Sequence, residues 1–328
     1  MIAAAERRQR RVLVATWAIG LLAFAAVIVV VLRLSELEQM ARLLRELRPR
    51  WFLAAFALQA ATYVCAAAVW HVALARGGYE QSTRSLVPVA LAMLFANQAV
   101  PTAGLSGSAI VLRALVLRGV PENFAMGTLL VGLVTTYAAY MLALAASVAL
   151  MVSAHLVFRA LLAVAGVFAA AALAIPAGIL WYMRSASPRL RERASRVPLV
   201  GKALAALANA PTELLRDPLV LRRTVVLQLI ELVLDAATLY VMLVAIGVPE
   251  KPSAAFASFT IAYAASSVGL TPLGLGTFEG ACIGMLRLFG VGLEAALAAT
   301  LLLRAFTLWL PMIPGFICAR LVVTPSRA

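Results

Sequence analysis

Pro101-Thr-Ala-Gly-Leu-Ser-Gly107 and Pro272-Leu-Gly-Leu-Gly276 each interrupt a long apolar run, and 171 positions separate their prolines. Each break is followed by a short helix-like stretch, then Gly-Val (Gly119-Val120 and Gly290-Val291), then a long apolar span. The same offset carries the apolar span at about 51–75 onto 222–246, which is again apolar. The register therefore holds across three consecutive elements. Paired interrupted segments in corresponding halves are the sequence signature of a transporter-like membrane fold with its site at the repeat interface.

Composition sets the same frame. The 328-residue chain is 64% hydrophobic with a mean hydropathy of +0.98, against roughly 45–50% apolar content in soluble domains. Several runs exceed the ~20 apolar residues that a bilayer crossing needs. The expected fold is all-α: a polytopic integral membrane protein, one transmembrane domain over residues 1–328. Long continuous runs, in place of short alternating ones, exclude an outer-membrane barrel. A net charge of +14 would point to nucleic acid in a soluble chain. Here the basic residues cluster in loops, so membrane topology explains them and no nucleic-acid partner is expected. Cys65, Cys282 and Cys318 lie singly in apolar segments and read as small buried hydrophobes. Arg7, Arg8, Arg10 and Arg11 precede the run 12–32 as in a signal sequence. That run is too long for an h-region and no small-x-small site follows, so it reads as an uncleaved first span.

Full spans are expected at about 12–32, 51–75, 124–151, 155–183, 224–247 and 294–320, and broken segments at 86–118 and 254–290. Neither half of a broken segment can cross alone, so each pair is expected to enter and return on one side. Its freed backbone groups then need protein or a wet cavity around them. The 184–223 connection carries nine Lys and Arg residues and is assigned to the cytoplasm, as is the N-terminus. Six full spans then place both termini inside. On this count the first broken pair opens to the cytoplasm and the second to the outside. Repeat 1 (about 12–151) and repeat 2 (about 155–322) are thus expected to be inverted copies. The arginine-containing connection 33–50 falls outside in this scheme; Leu34, Leu37, Met40, Leu44 and Leu47 recur there at near-helical spacing. An amphipathic helix in the interface or a packed surface helix both fit.

No nucleotide fingerprint, metal cluster or nucleophile–base pair is visible, and no cofactor is implied. His71 and His155 stand near span ends, where a satisfied or interfacial histidine is the ordinary reading. Ionisable residues inside spans are the informative ones, since a charge at the centre of a membrane helix costs ~2.5–3.5 kcal/mol on insertion scales. Asp235 lies near the middle of span 224–247, with Glu231 one turn earlier and Gln228 and Thr238 on the same stripe. Such acids could bind a cation, carry protons, pair with an arginine or stay protonated. Arg304 sits too deep in its span to snorkel easily and is a countercharge for Asp235, Glu231 or Glu279. A buried arginine can also hold a phosphate bidentately. Glu279 opens the helix after the second break, where capping and function are both open. Ser106-Gly107-Ser108 opens the corresponding half-helix of the first repeat, with Arg113 and Arg118 further along. Free N–H groups at such a terminus would suit an anion such as a lipid phosphate, while Arg118 is expected to reach the cytoplasmic interface.

Thr271-Pro-Leu-Gly-Leu-Gly-Thr-Phe-Glu-Gly280, the later Leu-Phe-Gly-Val291, and Leu301-Leu-Leu-Arg304-Ala-Phe-Thr-Leu-Trp-Leu-Pro311 resemble the C-terminal signature of the lysylphosphatidylglycerol synthase transmembrane family. The run from Pro101 to Arg118, followed by Gly-Val-Pro121, is similar to that family's earlier motif, and the resemblance spans about 12–320. It implies a flippase-like bacterial inner-membrane protein that moves, or helps move, a lipid or lipid-linked molecule between leaflets. Bifunctional members carry a separate soluble synthase domain, for which this chain is expected to have no room. Many members have an acid after the glycine where this chain has Gly107-Ser108, and further charges in the next span, where 124–151 has none. Both departures argue against aminoacylated phosphatidylglycerol as the default cargo.

The expected function is a lipid or lipid-linked precursor flippase, not an enzyme. An anionic headgroup, on a membrane lipid or a polyprenyl carrier, would sit between the two broken helices. Arg304 and Arg113 would attract phosphate, with Ser106, Ser108, Glu231, Asp235 and Glu279 around it. The alternative is a non-transporting partner that scaffolds a membrane-bound lipid or glycan enzyme, for which Asp235 and Arg304 should pair tightly. An intramembrane lipid-modifying enzyme would need a wet acid/base pair at headgroup level, and the acids read too deep for that. The charge assignment has a direct check. With the native cysteines replaced, Ser195→Cys in the basic connection should react with a membrane-impermeant maleimide only from the cytoplasmic side of oriented vesicles. Labelling from the outer side would reverse the topology.

Overall fold

The computed structural model describes residues 49–99, 104–156, 159–185, 213–248, 251–268 and 276–323. All regular structure among them is helical. In chain order the helices are α1 (Pro49–Arg76), α2 (Thr83–Ala99), α3 (Leu105–Leu117), α4 (Glu122–Ser153), α5 (Arg159–Ser185), α6 (Pro218–Ala245), α7 (Pro252–Val268), α8 (Thr277–Leu288), α9 (Leu293–Arg304), a π turn (Ala305–Trp309) and α10 (Leu310–Val323). Among the described residues, four stretches are long and apolar enough to cross a membrane: Arg50–Arg76, Glu122–Ser153, Pro218–Ala245 and Leu293–Val322. They correspond to four of the six expected spans. The fifth, 155–183, falls on α5, and the shorter stretch Leu161–Ile175 within it is apolar. The span 12–32 and all but the last two residues of 33–50 lie outside the described residues, as do residues 101–103 of the first Pro/Gly break and 272–275 of the second.

Element lengths repeat down the chain. α1 and α6 each have 28 residues, and α2 and α7 each have 17. The short helices after the breaks have 13 and 12 residues. The next span starts at 122 in one half and 293 in the other, the same offset of 171. The Gly-Val pairs have a physical meaning at the ends of α3 and α8. Gly119 (φ +83°) and Gly290 (φ +95°) are in the left-handed region, open to glycine without a Cβ penalty. Gly119 N–H donates to Val116 O and Val120 N–H to Leu115 O; Gly290 N–H donates to Arg287 O and Val291 N–H to Leu286 O. This is the Schellman arrangement, which satisfies carbonyls that a helix end leaves without partners.

Helix starts follow equally local rules. Pro49, Pro218 and Pro252 each open their helix, where the missing N–H is not needed. α6 begins six residues before its expected apolar boundary at 224. Hydropathy stops at Arg222 and Arg223, yet both are exposed and simply prolong the helix. Asp217 sets the true start: its Oδ1 accepts from Leu219 N–H at 2.9 Å and Val220 N–H at 3.2 Å. Its Oδ2 accepts from Arg76 Nε at the end of α1. That guanidinium hydrogen bond, with the two backbone donors, holds the Asp217 carboxyl below its ordinary value.

The described residues form two compact units, each drawing on several stretches of chain. One takes residues up to Gln59, Ala143 to Phe168 and Val233 to Leu308. In it α8 packs on both α7 and α9. The other takes Ala60 to Leu142, Ala169 to Leu232 and Trp309 onward. There α2, α3 and α10 pack mutually, around Leu86, Val89, Val111, Leu115 and Val322 together with Trp70 and Leu74 of α1. In lipid, apolar burial alone does not drive such contacts; close backbone approach does. Gly315 of α10 provides it. A Cβ there would lie 2.7 Å from Leu91 O and 2.9 Å from Phe95 Cβ on α2, and Phe95 also packs edge-on against Phe316. Because one obstacle is backbone, Gly315→Leu should force the helices apart at a cost of ~1–3 kcal/mol. A lowered midpoint in a thermal melt of the detergent-purified protein checks this; an unchanged midpoint would mean that α2 is not held at this distance.

Candidate functional site

The second broken pair delivers a buried ion pair. Gly276, with φ +82°, leads into α8. Glu279 in the first turn reaches back, and its Oε2 accepts from Gly276 N–H at 2.6 Å. Its Oε1 accepts from Arg304 Nε at 2.6 Å. The Glu279 side chain is 1% exposed and that of Arg304 12%. A carboxylate this deep needs a cation, and α9 supplies one from 25 residues away. The Arg304 guanidinium carbon lies 4.8 Å over the Phe278 ring, and Phe278 meets Phe259 of α7 edge-on at 5.8 Å. Three helices thus converge on one guanidinium, which is fixed by charge on one side and by a ring face on another. Glu279 both caps its helix and orients an arginine.

Arg304 is also the last residue of α9 before the π turn. The turn follows from Pro311, which has no N–H to offer and whose ring would crowd the carbonyl of Thr307 four residues earlier. A wider turn relieves both conflicts, and Thr307 Oγ1 donates to Leu303 O at 3.0 Å. Sequence reasoning treats 294–320 as one plain helix; the structure inserts Ala305–Trp309 as a π turn directly beside the arginine. Single π turns inside helices recur at functional positions.

Asp235 is held differently. Gln59 of α1 donates through Nε2 to Asp235 Oδ1 at 2.9 Å and to Thr238 Oγ1 at 3.0 Å. Thr238 spends its own proton on Leu234 O at 2.9 Å. The tight Asp235–Arg304 pair expected of a scaffold is therefore not formed. Among the three acids weighed for Arg304, it is Glu279 that it takes.

In the first broken pair the polar groups are turned onto the backbone. Ser106 Oγ donates to Ala96 O of α2 at 3.0 Å, and Ser108 Oγ to Gly104 O at 2.9 Å. The amide of Asn97 closes the half-helix from the opposite arm: its Oδ1 accepts from Gly107 N–H at 2.9 Å. At least this one of the N–H groups expected to await an anion is therefore occupied. Arg113 is exposed on α3, and Arg118 turns back so that Nη1 donates to Ala114 O at 2.8 Å. His71 Nδ1 lies 2.7 Å from Gln81 O, an ordinary satisfied histidine.

The expected site residues thus divide by unit. Asp235, Glu279 and Arg304 belong to one, and Ser106, Ser108, Arg113 and Glu231 to the other. Among the described residues, no group of three or more His, Cys, Asp or Glu could hold a metal ion. Gln59 and Asn97 are missed by a search for charges, although Gln59 is a lone amide in an apolar run and Asn97 stands with Gln98 in another, which is itself a signal. Gly107 leaves the space that Asn97 fills, since a Cβ there would lie 2.5 Å from Asn97 Oδ1. Asn97→Ala should uncap α3 at a cost of ~1–2 kcal/mol, read as a lower melting midpoint. Asn97→Asp, which keeps the acceptor, should recover most of it. Equal losses in both variants would remove the capping role.

Among curated proteins none matches this chain. The sequence profile of the family described as the lysylphosphatidylglycerol synthase TM region matches residues 17–315, most of the chain. With its apolar helices and its buried Arg304–Glu279 pair in place, the protein is a multi-pass membrane protein that belongs to this family.

Proposed function

We propose that the chain carries an anionic lipid or lipid-linked precursor, such as a polyprenyl phosphate, between the leaflets of a bacterial inner membrane, with both termini cytoplasmic. In this reading the broken pairs are re-entrant and belong to inverted repeats. The reaction has no covalent step. The headgroup moves and the tails stay in the bilayer.

The observation that carries the proposal is Arg304. It is the twelfth residue of the apolar stretch Leu293–Val322, which at 1.5 Å per residue sets it ~16 Å along a span that crosses ~30 Å of hydrocarbon. An arginine at that depth is costly unless paired. Glu279 makes it tolerable and directs it by binding Nε. A guanidinium has five donors in a planar fork, and a phosphate takes two of them side by side. The Phe278 face restricts the ring plane, so a phosphate meets a guanidinium already oriented. A weakly hydrated cation at the midplane lowers the barrier that a phosphate otherwise meets there. The proposed partner is thus the lipid itself, and a membrane-bound biosynthetic enzyme that supplies or consumes it is a reasonable neighbour.

The test uses purified protein in phosphatidylcholine vesicles with a trace of fluorescent phosphatidylglycerol, scoring leaflet exchange by quenching from outside. Removing Arg304 alone would leave Glu279 buried without a countercharge, at a cost of ~3–5 kcal/mol. Two gentler variants avoid that. Arg304→Lys keeps the charge but loses the fork. The double variant Arg304→Met with Glu279→Gln removes both charges together. Both should slow phosphatidylglycerol exchange at least tenfold at equal protein incorporation, which corresponds to ~1.4 kcal/mol. Wild-type rates in both would refute the role of Arg304.

A further inference from the structure

We propose that Asp235 is a proton-binding site, separate from the Arg304 site, and that its proton exchange couples to headgroup movement. The coupling half rests on the transport reading above; the proton site itself does not.

Glu279, the buried acid of the same unit, has a guanidinium. Asp235 has none: among the described residues its partner is the neutral amide of Gln59. The amide's orientation is fixed by its surroundings. Thr238 Oγ1 has given its proton to Leu234 O, so it accepts from Gln59 Nε2. The same nitrogen then faces Asp235 Oδ1 as a donor, and Asp235 Oδ2 is the atom left to take a proton. Glu231 lies one turn earlier on α6, and Cys65 of α1 is within electrostatic reach of Glu231. Gln228 and Thr238 on α6 and Gln59 on α1 are neutral. No Lys, Arg or His of the described residues pairs with Asp235.

Magnitudes decide what this arrangement does. A charge at the centre of a membrane helix costs ~2.5–3.5 kcal/mol, and one hydrogen bond to a charged acceptor returns ~1.5–3 kcal/mol. The two nearly offset. A salt bridge would lock the aspartate charged, and an apolar site would lock it neutral. A single neutral donor leaves both forms within reach, which is the condition for taking up and releasing a proton. The step is simple in balance: a proton from water forms an O–H bond at Oδ2, hydronium becomes water, and the reverse releases it. No other bond changes.

Infrared difference titration of the full-length protein in phosphatidylcholine vesicles tests the site with no cargo present. The difference spectrum should contain a protonated-carboxyl component that appears as pH falls in wild type and in the double variant Arg304→Met with Glu279→Gln, and that is missing in Asp235→Asn. Gln59→Leu, which removes the donor, should move its midpoint upward by at least one pH unit. A band that survives in Asp235→Asn, or a midpoint indifferent to Gln59, overturns the proposal. For coupling, phosphatidylglycerol exchange is compared under opposite imposed pH gradients. The ratio of the two rates should be at least threefold in wild type and close to one in Asp235→Asn, and reversing a sodium gradient should leave it at one. A wild-type ratio of one overturns coupling, and a response to sodium instead of pH assigns the site to a metal cation. Absence of any wild-type exchange would defeat the transport reading while the infrared result still judges the proton site.

Discussion

A helix end leaves backbone donors and acceptors that need partners wherever water does not reach them, and most of the polar chemistry described here answers that demand. Each unsatisfied group costs several kcal/mol in hydrocarbon. At α8 the answer is a carboxylate, Glu279 on Gly276 N–H. At α3 it is an amide, Asn97 on Gly107 N–H. At the far ends of both helices it is the left-handed glycine followed by valine. Choosing a carboxylate at α8 has a consequence that the amide does not: it imports a charge, which must be balanced. Arg304 is there because Glu279 is there, and the proposed chemistry of the site descends from a capping requirement.

Two acids of one unit, Glu279 and Asp235, differ in the partner that each takes. Glu279 is paired with a full charge, the Arg304 guanidinium, and serves as an orienting group. Asp235 is paired with a dipole, the Gln59 amide. Similar residue types thus acquire different surroundings from one neighbour each.

Much of the fold was legible. Pro101 and Pro272 with their flanking runs located the breaks, and the repeated Gly-Val pairs marked helix ends before their hydrogen bonds were seen. Hydropathy misplaced the start of α6, because Arg222 and Arg223 read as loop while Asp217 and Pro218 were the real signal. The π turn was not legible as such; Pro311 announces a disturbed turn without saying which way the helix will absorb it. Among site residues, Arg304 and Glu279 were found singly, but their pairing was one of three options that sequence left open. Gln59 and Asn97 escaped because their partners lie 176 and 10 residues away respectively, and nothing in a one-dimensional pattern joins an amide to a distant aspartate.

The two half-helices differ in what they need in order to exist. α8 carries its cap in its own first turn, so the bond from Gly276 can form as soon as those four residues leave the ribosome and coil. α3 borrows its cap from α2, and Asn97 can reach Gly107 only after the chain has doubled back and the two arms lie side by side. During synthesis the first half-helix is therefore capped only once its hairpin has closed. The start of α8 can be capped while the chain beyond it is still being made.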